Sequence, residues 1–172
     1  MSYRNTKIKE NLINMQNFLD NIENYGGNNM LIYGVCEESI TKYNEDKAEK
    51  FLKNLLDTSC KDIAENYFIN KEENGCNLHD WLDNYESCNG CNGLFACLSE
   101  IIRELDDIDI SCDNPNGLCY LGLQADMPWH YNEKTKNLTL KEYQDTLTKY
   151  LYYFTDDEIK IRWWKVDDEC DY

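Results

Sequence analysis

Gly93–Asp107 reads GLFACLSEIIRELDD. Leu94, Leu98, Ile101 and Leu105 recur at three- and four-residue spacing, so they share one narrow stripe of a helix. Phe95 and Ile102 lie beside that stripe. Gly93 bounds the segment in front and a run of acids bounds it behind. A helix this apolar on one side has to be buried, and the rest of the chain is read outward from it.

Toward the N-terminus, Asn89-Gly90 and Asn92-Gly93 are turn dipeptides on either side of Cys91. The spacing predicts a short helix over 79–86 with Trp81, Leu82 and Tyr85 inward. Asn74-Gly75 punctuates the chain before it. Residues 44–57 predict a helix burying Ala48, Phe51, Leu52 and Leu55. Thr58-Ser59 interrupts it, and Ser59 with Asp62 three residues on has the form of an N-cap. A second helix is therefore expected over 60–70, with one continuous bent helix as the alternative. Met30–Cys36 (MLIYGVC) is a short apolar run bounded by turn residues and reads as a buried strand. Its Gly34 marks either a bulge or a close backbone approach. Residues 5–24 predict a first helix, with Ile8, Leu12, Met15, Leu19 and Ile22 on one face.

Toward the C-terminus, residues 108–112, the turn Asp113-Asn114-Pro115-Asn116-Gly117 and residues 118–124 predict a β-hairpin. Thr139 and Glu142 have capping-box spacing at the head of a helix over 139–154, with Leu138 and Tyr143 placed as a hydrophobic staple. Residues 158–166 alternate. Ile159, Ile161 and Trp163 fall on one side, and Lys160, Arg162 and Trp164 on the other, as in a half-buried strand. The expected class is α+β: five or six helices packed on a small, mainly antiparallel sheet of three or four strands. One domain spans residues 1–172, and 167–172 is expected to be a frayed acidic tail.

Charge is distributed unevenly. Lys71–Asp113 holds eleven carboxylates against Lys71 and Arg103, a net −9 of the chain's −16. On the helix over 93–107, Glu100, Glu104 and Asp107 line up on a flank away from Leu98 and Ile101. Neighbours three or four apart are separated by roughly 5–6 Å. That is close to the ~6–7 Å between successive phosphates of one DNA strand. Asp106, Asp109 and Asp113 continue the charge into the hairpin, and Asp80, Asp83 and Glu86 (with Glu72 and Glu73) offer a second row. Trp129, in the loop DMPWHY (126–131), is an aromatic of the kind that anchors interfaces. These residues are the candidate partner-binding set; a merely solvated helix face is the alternative. Such acidity repels nucleic acid and anionic membranes and favours a basic protein partner.

In size, acidity, Asn and Tyr richness and lack of motifs, the chain resembles the acidic anti-defence proteins of phages and mobile elements. The resemblance is compositional and assigns no residue a role. It implies an inhibitor that imitates nucleic acid in the basic groove of a CRISPR effector or restriction enzyme. Acidic immunity proteins, which neutralise nuclease toxins, share the same character.

Cys76-x2-His79 and Cys88-x2-Cys91 together have the form of a four-ligand zinc site, although an eight-residue spacer is short. The alternative is that these thiols are small packing groups. No other cofactor is expected. Cys112 and Cys119 flank the hairpin turn and could face each other across it. With only His79 and His130, and no nucleotide-binding, zincin or nucleophile-elbow motif, an enzyme is not expected. Met1–Asn24 has no apolar run or cleavage site, and no stretch is long enough to span a bilayer. The expected location is the cytoplasm, with reduced thiols.

Overall fold

A computed structural model describes residues 29–87, 90–91, 93–115, 117–124 and 130–167. The helix expected over 5–24, the tail 168–172, Cys88 and Trp129 lie outside the described residues.

Four strands form one antiparallel sheet. These are β1 (Asn29–Cys36), β2 (Ser111–Asp113), β3 (Tyr120–Gln124) and β4 (Arg162–Asp167), in the spatial order β2-β3-β1-β4. Among the described residues there are six helices: α1 (Glu45–Leu55), α2 (Lys61–Asn74), α3 (Leu78–Asp83), α4 (Leu94–Asp106), α5 (Glu133–Lys136) and α6 (Leu140–Tyr152). The class is the expected α+β.

The helices share a core with one face of the sheet. Tyr33 and Val35 of β1, Leu121 of β3 and Trp163 of β4 meet Leu94, Leu98, Ile101 and Ile102 of α4 there. Leu98, Ile101 and Ile102 are fully buried, as their helical spacing requires. Alternation along the strands sends Ile32, Cys36, Tyr120, Trp164 and Val166 to the opposite face, where they form a second, smaller apolar cluster. The two tryptophans therefore separate. Trp163 lies opposite Tyr33 with ring centroids 4.9 Å apart. Trp164 lies opposite Ile32, and its indole N–H donates to the Gly34 carbonyl at 2.9 Å.

Gly34 is a close approach and not a bulge. It faces Gly122 of β3 in continuous register. A Cβ on Gly34 would stand 2.0 Å from the Leu121 carbonyl oxygen and 2.7 Å from the Gly122 Cα.

Helix boundaries follow local chemistry. Asn44 caps α1, accepting from the Lys47 N–H at 3.1 Å. α1 and α2 are separate helices, and the corner between them is made by Thr58 in place of the expected Ser59 cap. Thr58 Oγ1 donates to the Leu55 carbonyl at 2.7 Å and accepts from the Cys60 N–H at 3.1 Å. Cys60 is thereby drawn into the core. α2 runs four residues past its expected end, until Gly75 adopts the left-handed conformation at φ 63°. The Thr139–Glu142 capping box is present on α6. α5 was not expected from periodicity; Asn132 starts it by accepting from the Thr135 N–H at 2.8 Å.

The hairpin is offset from its expected register. β2 begins at Ser111, and Asp113 pairs with Tyr120. Cys112 consequently faces Leu121, so Cys112 and Cys119 are diagonal neighbours on one face and not opposite partners. The last strand begins at Arg162 and not at 158, and residues 155–157 before it form a clasp. The Asp157 carboxylate accepts from the backbone N–H groups of Thr41 (2.7 Å) and Lys42 (3.2 Å), and from the hydroxyls of Thr41 and Thr155. Beside it, Lys47 pairs with Asp156 at 2.7 Å. This clasp ties the end of α6 to the segment before α1.

Two outcomes are expected. Gly34→Ala drives a methyl into the Leu121 carbonyl, and urea denaturation should show a loss of about 3 kcal/mol or more, beyond ordinary overpacking because the obstacle is backbone. The backbone N–H of Thr41, with the other donors, holds the Asp157 carboxyl below its usual range. Folding then favours the ionised form, so this stability is present above the unfolded carboxylate pKa and lost as pH falls through the lowered one. Asp157→Asn should lower the melting temperature at pH 7 and flatten its further fall below about pH 4.

Candidate functional site

The acidic candidates separate into three places. At the C-terminal end of α4 they turn toward the chain itself. Asp106 accepts from the Tyr150 hydroxyl at 2.8 Å and stands 3.6 Å from Lys149 Nζ. Asp109 accepts from the Asn132 N–H at 2.6 Å and lies 4.0 Å from Arg103 Nε. Asp107 does not extend the helical flank of Glu100 and Glu104. It is the left-handed cap of α4 at φ 54°, and its side chain accepts from Asn132. These three carboxylates hold the α4–β2 connection to α5 and α6.

A second group surrounds Tyr85. A groove between α2 and the residues after α3 is lined by Asp62, Asn66, Asn70, Trp81, Tyr85 and Glu86. The Trp81 indole donates to Asn66 Oδ1 at 2.8 Å, which fixes the floor. The Tyr85 hydroxyl donates to Glu100, joining the groove to α4. Burial raises the Tyr85 pKa, and the nearby Glu100 carboxylate raises it further. Cys60 is raised by burial first, then by Glu104 and Glu100, so both carboxylates reach the same neighbourhood. Glu86 and Glu104 are exposed, and neither makes an ion pair among the described residues. Glu72 and Glu73 are exposed on the last turn of α2.

A third group lies across α3. Asp83 closes that helix and lines another groove with Glu37, Glu38 and Tyr43. Its carboxylate is 3.1 Å from His79 Nδ1. Asp80 is exposed in the first turn of α3, where its N–H is capped by Asn77. Asp113 is half-buried in β2.

The three described members of the expected zinc set, Cys76, His79 and Cys91, have different neighbours. The Cys76 thiol is directed to the Asn77 carbonyl at 3.6 Å. His79 lies against Tyr43, ring centroids 5.7 Å apart. The Cys91 thiol donates to the Cys112 carbonyl at 3.0 Å. Among the described residues, no group of three or more His, Cys, Asp and Glu side chains is gathered for a metal ion. Gly90 and Gly93, on either side of Cys91, have positive φ of 75° and 87°. No helix of the described residues is long and apolar enough to cross a membrane.

Sequence reasoning missed Asp62, Glu37 and Glu38, which lie outside the charged stretch and join it only through folding. It also missed Tyr85 as the group that orients Glu100, fifteen residues on, for which no local pattern exists. Compared with known proteins, the chain matches no family model, no curated protein and no solved structure.

Cys119 offers a direct check on this region. Burial, then the Glu37 carboxylate, push its thiol up to about 11. At pH 8 iodoacetamide should therefore label Cys119 far more slowly than a free thiol, and the rate should rise about tenfold per pH unit toward pH 10. Peptide mapping after timed labelling measures it.

Proposed function

We propose that this chain is an acidic protein-binding inhibitor that imitates nucleic acid in the basic groove of a nucleic-acid-processing enzyme. The partner class suggested by its compositional resemblance is a CRISPR effector or a restriction enzyme. The observation that carries the reading is the surface around Tyr85. Glu86 and Glu104 are exposed, without ion pairs among the described residues; Glu86 lines the groove that contains Asp62, and Glu104 lies one helical turn from Glu100. The Tyr85 hydroxyl orients Glu100. A cationic groove would be steered to such a surface at long range, with on-rates raised by about 10–1000-fold at low salt.

The reading assigns contact to Glu86, Glu100, Glu104 and Asp62. It assigns a supporting role to Asp106, Asp107 and Asp109, whose carboxylates hold the fold. Direct binding to nucleic acid or to anionic membranes is disfavoured by the charge of −16.

The test is capture of partners from a host lysate, followed by competition. A basic nucleic-acid enzyme should be retained, its affinity should fall with salt, and duplex DNA should displace it. Glu86→Lys with Glu104→Lys should weaken binding by on the order of tenfold without lowering the melting temperature. Both side chains are exposed, so the pair is a cleaner probe than Glu100, whose loss also removes the Tyr85 hydrogen bond. Tight binding that DNA fails to displace would remove the mimic reading.

A further inference from the structure

The third acidic place is more than a cluster of charges. An open groove of about 510 Å³ lies between the turn after β1, the end of α3 and the start of α4. Its floor is apolar: Ile40, Leu94, Phe95 and Leu118 line it. Carboxylates stand on two separate elements around that floor. Glu37 and Glu38 come from the single 3-10 turn Glu37–Ser39, and Asp83 from α3. The groove is held in shape from below. Glu37 accepts from the Cys119 N–H at 2.9 Å, and Glu37 N–H donates back to the Cys119 carbonyl at 2.9 Å. Glu38 is exposed and makes no hydrogen bond or ion pair among the described residues. Tyr43 reports the convergence. Its pKa is raised by burial first, and then by Asp83 and Glu37 together.

We propose that this groove seats an arginine side chain of a partner protein, its aliphatic stem on Phe95 and Leu118 and its guanidinium between Glu38 and Asp83. The apolar floor disfavours a hydrated divalent ion and matches the stem of a long basic side chain. A planar fork of N–H donors suits carboxylates from two separate elements better than a point ammonium does. The start of α4 brings roughly half a positive charge to the same groove, which three full carboxylates outweigh. Asp83 and Glu86 are three residues apart, with Asp83 on this groove and Glu86 on the one beside Tyr85. The seat therefore adjoins the acidic surface above. The inference rests on the inhibitor reading for the identity of its partner, but the groove itself is testable alone.

The probe is N-acetyl-arginine amide, titrated into the full chain and followed by two-dimensional NMR. N-acetyl-norleucine amide supplies the stem without the charge. The arginine probe should shift and saturate resonances of Ile40, Phe95 and Leu118, with several-fold smaller shifts from the norleucine probe. Glu38→Gln with Asp83→Asn, both exposed positions, should abolish the response, whereas Glu86→Lys with Glu104→Lys should leave it. Shifts that follow every surface carboxylate alike, or that survive Glu38→Gln with Asp83→Asn, would overturn the proposal. Loss of the seat with DNA-sensitive capture of an enzyme intact would remove this groove alone. A saturable seat in a chain that captures no such enzyme would support the groove and remove the inhibitor reading.

Discussion

Two glycines facing each other fix the centre of this molecule. Gly34 of β1 and Gly122 of β3 stand in register, and a Cβ on either would enter the backbone of the opposite strand, at 2.0 Å and 2.3 Å respectively. With no side chain between them the strands approach closely, and the Gly34 carbonyl is left to receive the Trp164 indole. β1 therefore bonds β3 on one side and β4 on the other, joining segments about ninety and one hundred and thirty residues away. Everything that touches the sheet inherits that register, including Trp163 against Tyr33 and the Cys112–Leu121 pair beneath Cys91.

Local chemistry made much of this legible in the sequence. α4 follows from the spacing of Leu94, Leu98, Ile101 and Leu105, β1 from the run LIYGVC, and the head of α6 from Thr139 and Glu142. Each of those signals is complete within a few residues. What escaped depended on contacts made at a distance. α5 is a single turn set by Asn132, too short to show a period. The clasp of Asp156 and Asp157 on Thr41, Lys42 and Lys47 joins residues more than a hundred positions apart, which no local pattern announces.

The candidate site was less legible than the fold for the same reason. A stretch dense in acids says how much charge there is, but not where each carboxylate turns. Folding divides Lys71–Asp113 between the inward-turned Asp106 and Asp109, the surface beside Tyr85, and the groove containing Asp83. It also recruits Asp62, Glu37 and Glu38 from outside the stretch. The CxxH and CxxC spacing likewise does not say where each thiol turns, and that of Cys91 is directed to the Cys112 carbonyl of β2.

An acid-rich chain has to satisfy its carboxylates with few cations, here 33 acids against 17 Lys and Arg. Part of the solution is visible in the 13 tyrosines. Tyr67 donates to Glu49, Tyr85 to Glu100 and Tyr150 to Asp106, in each case from a ring held in or against the core. The Asp157 carboxylate uses hydroxyls and backbone N–H groups in the same way, and that of Asp109 uses the Asn132 N–H. A neutral donor meets the hydrogen-bonding need of a carboxylate and restrains its direction, yet leaves the full negative charge to act outside. A lysine in the same place would cancel it. Each such bond also keeps the tyrosine protonated, since the adjacent carboxylate opposes a phenolate, so the arrangement persists across the physiological pH range. Asp157 is held by hydroxyls and backbone N–H groups and makes no ion pair among the described residues, whereas Glu49 and Asp106 also meet Lys71 and Lys149. Restraint of that kind is not what solubility selects, because freely moving carboxylates serve solubility equally well.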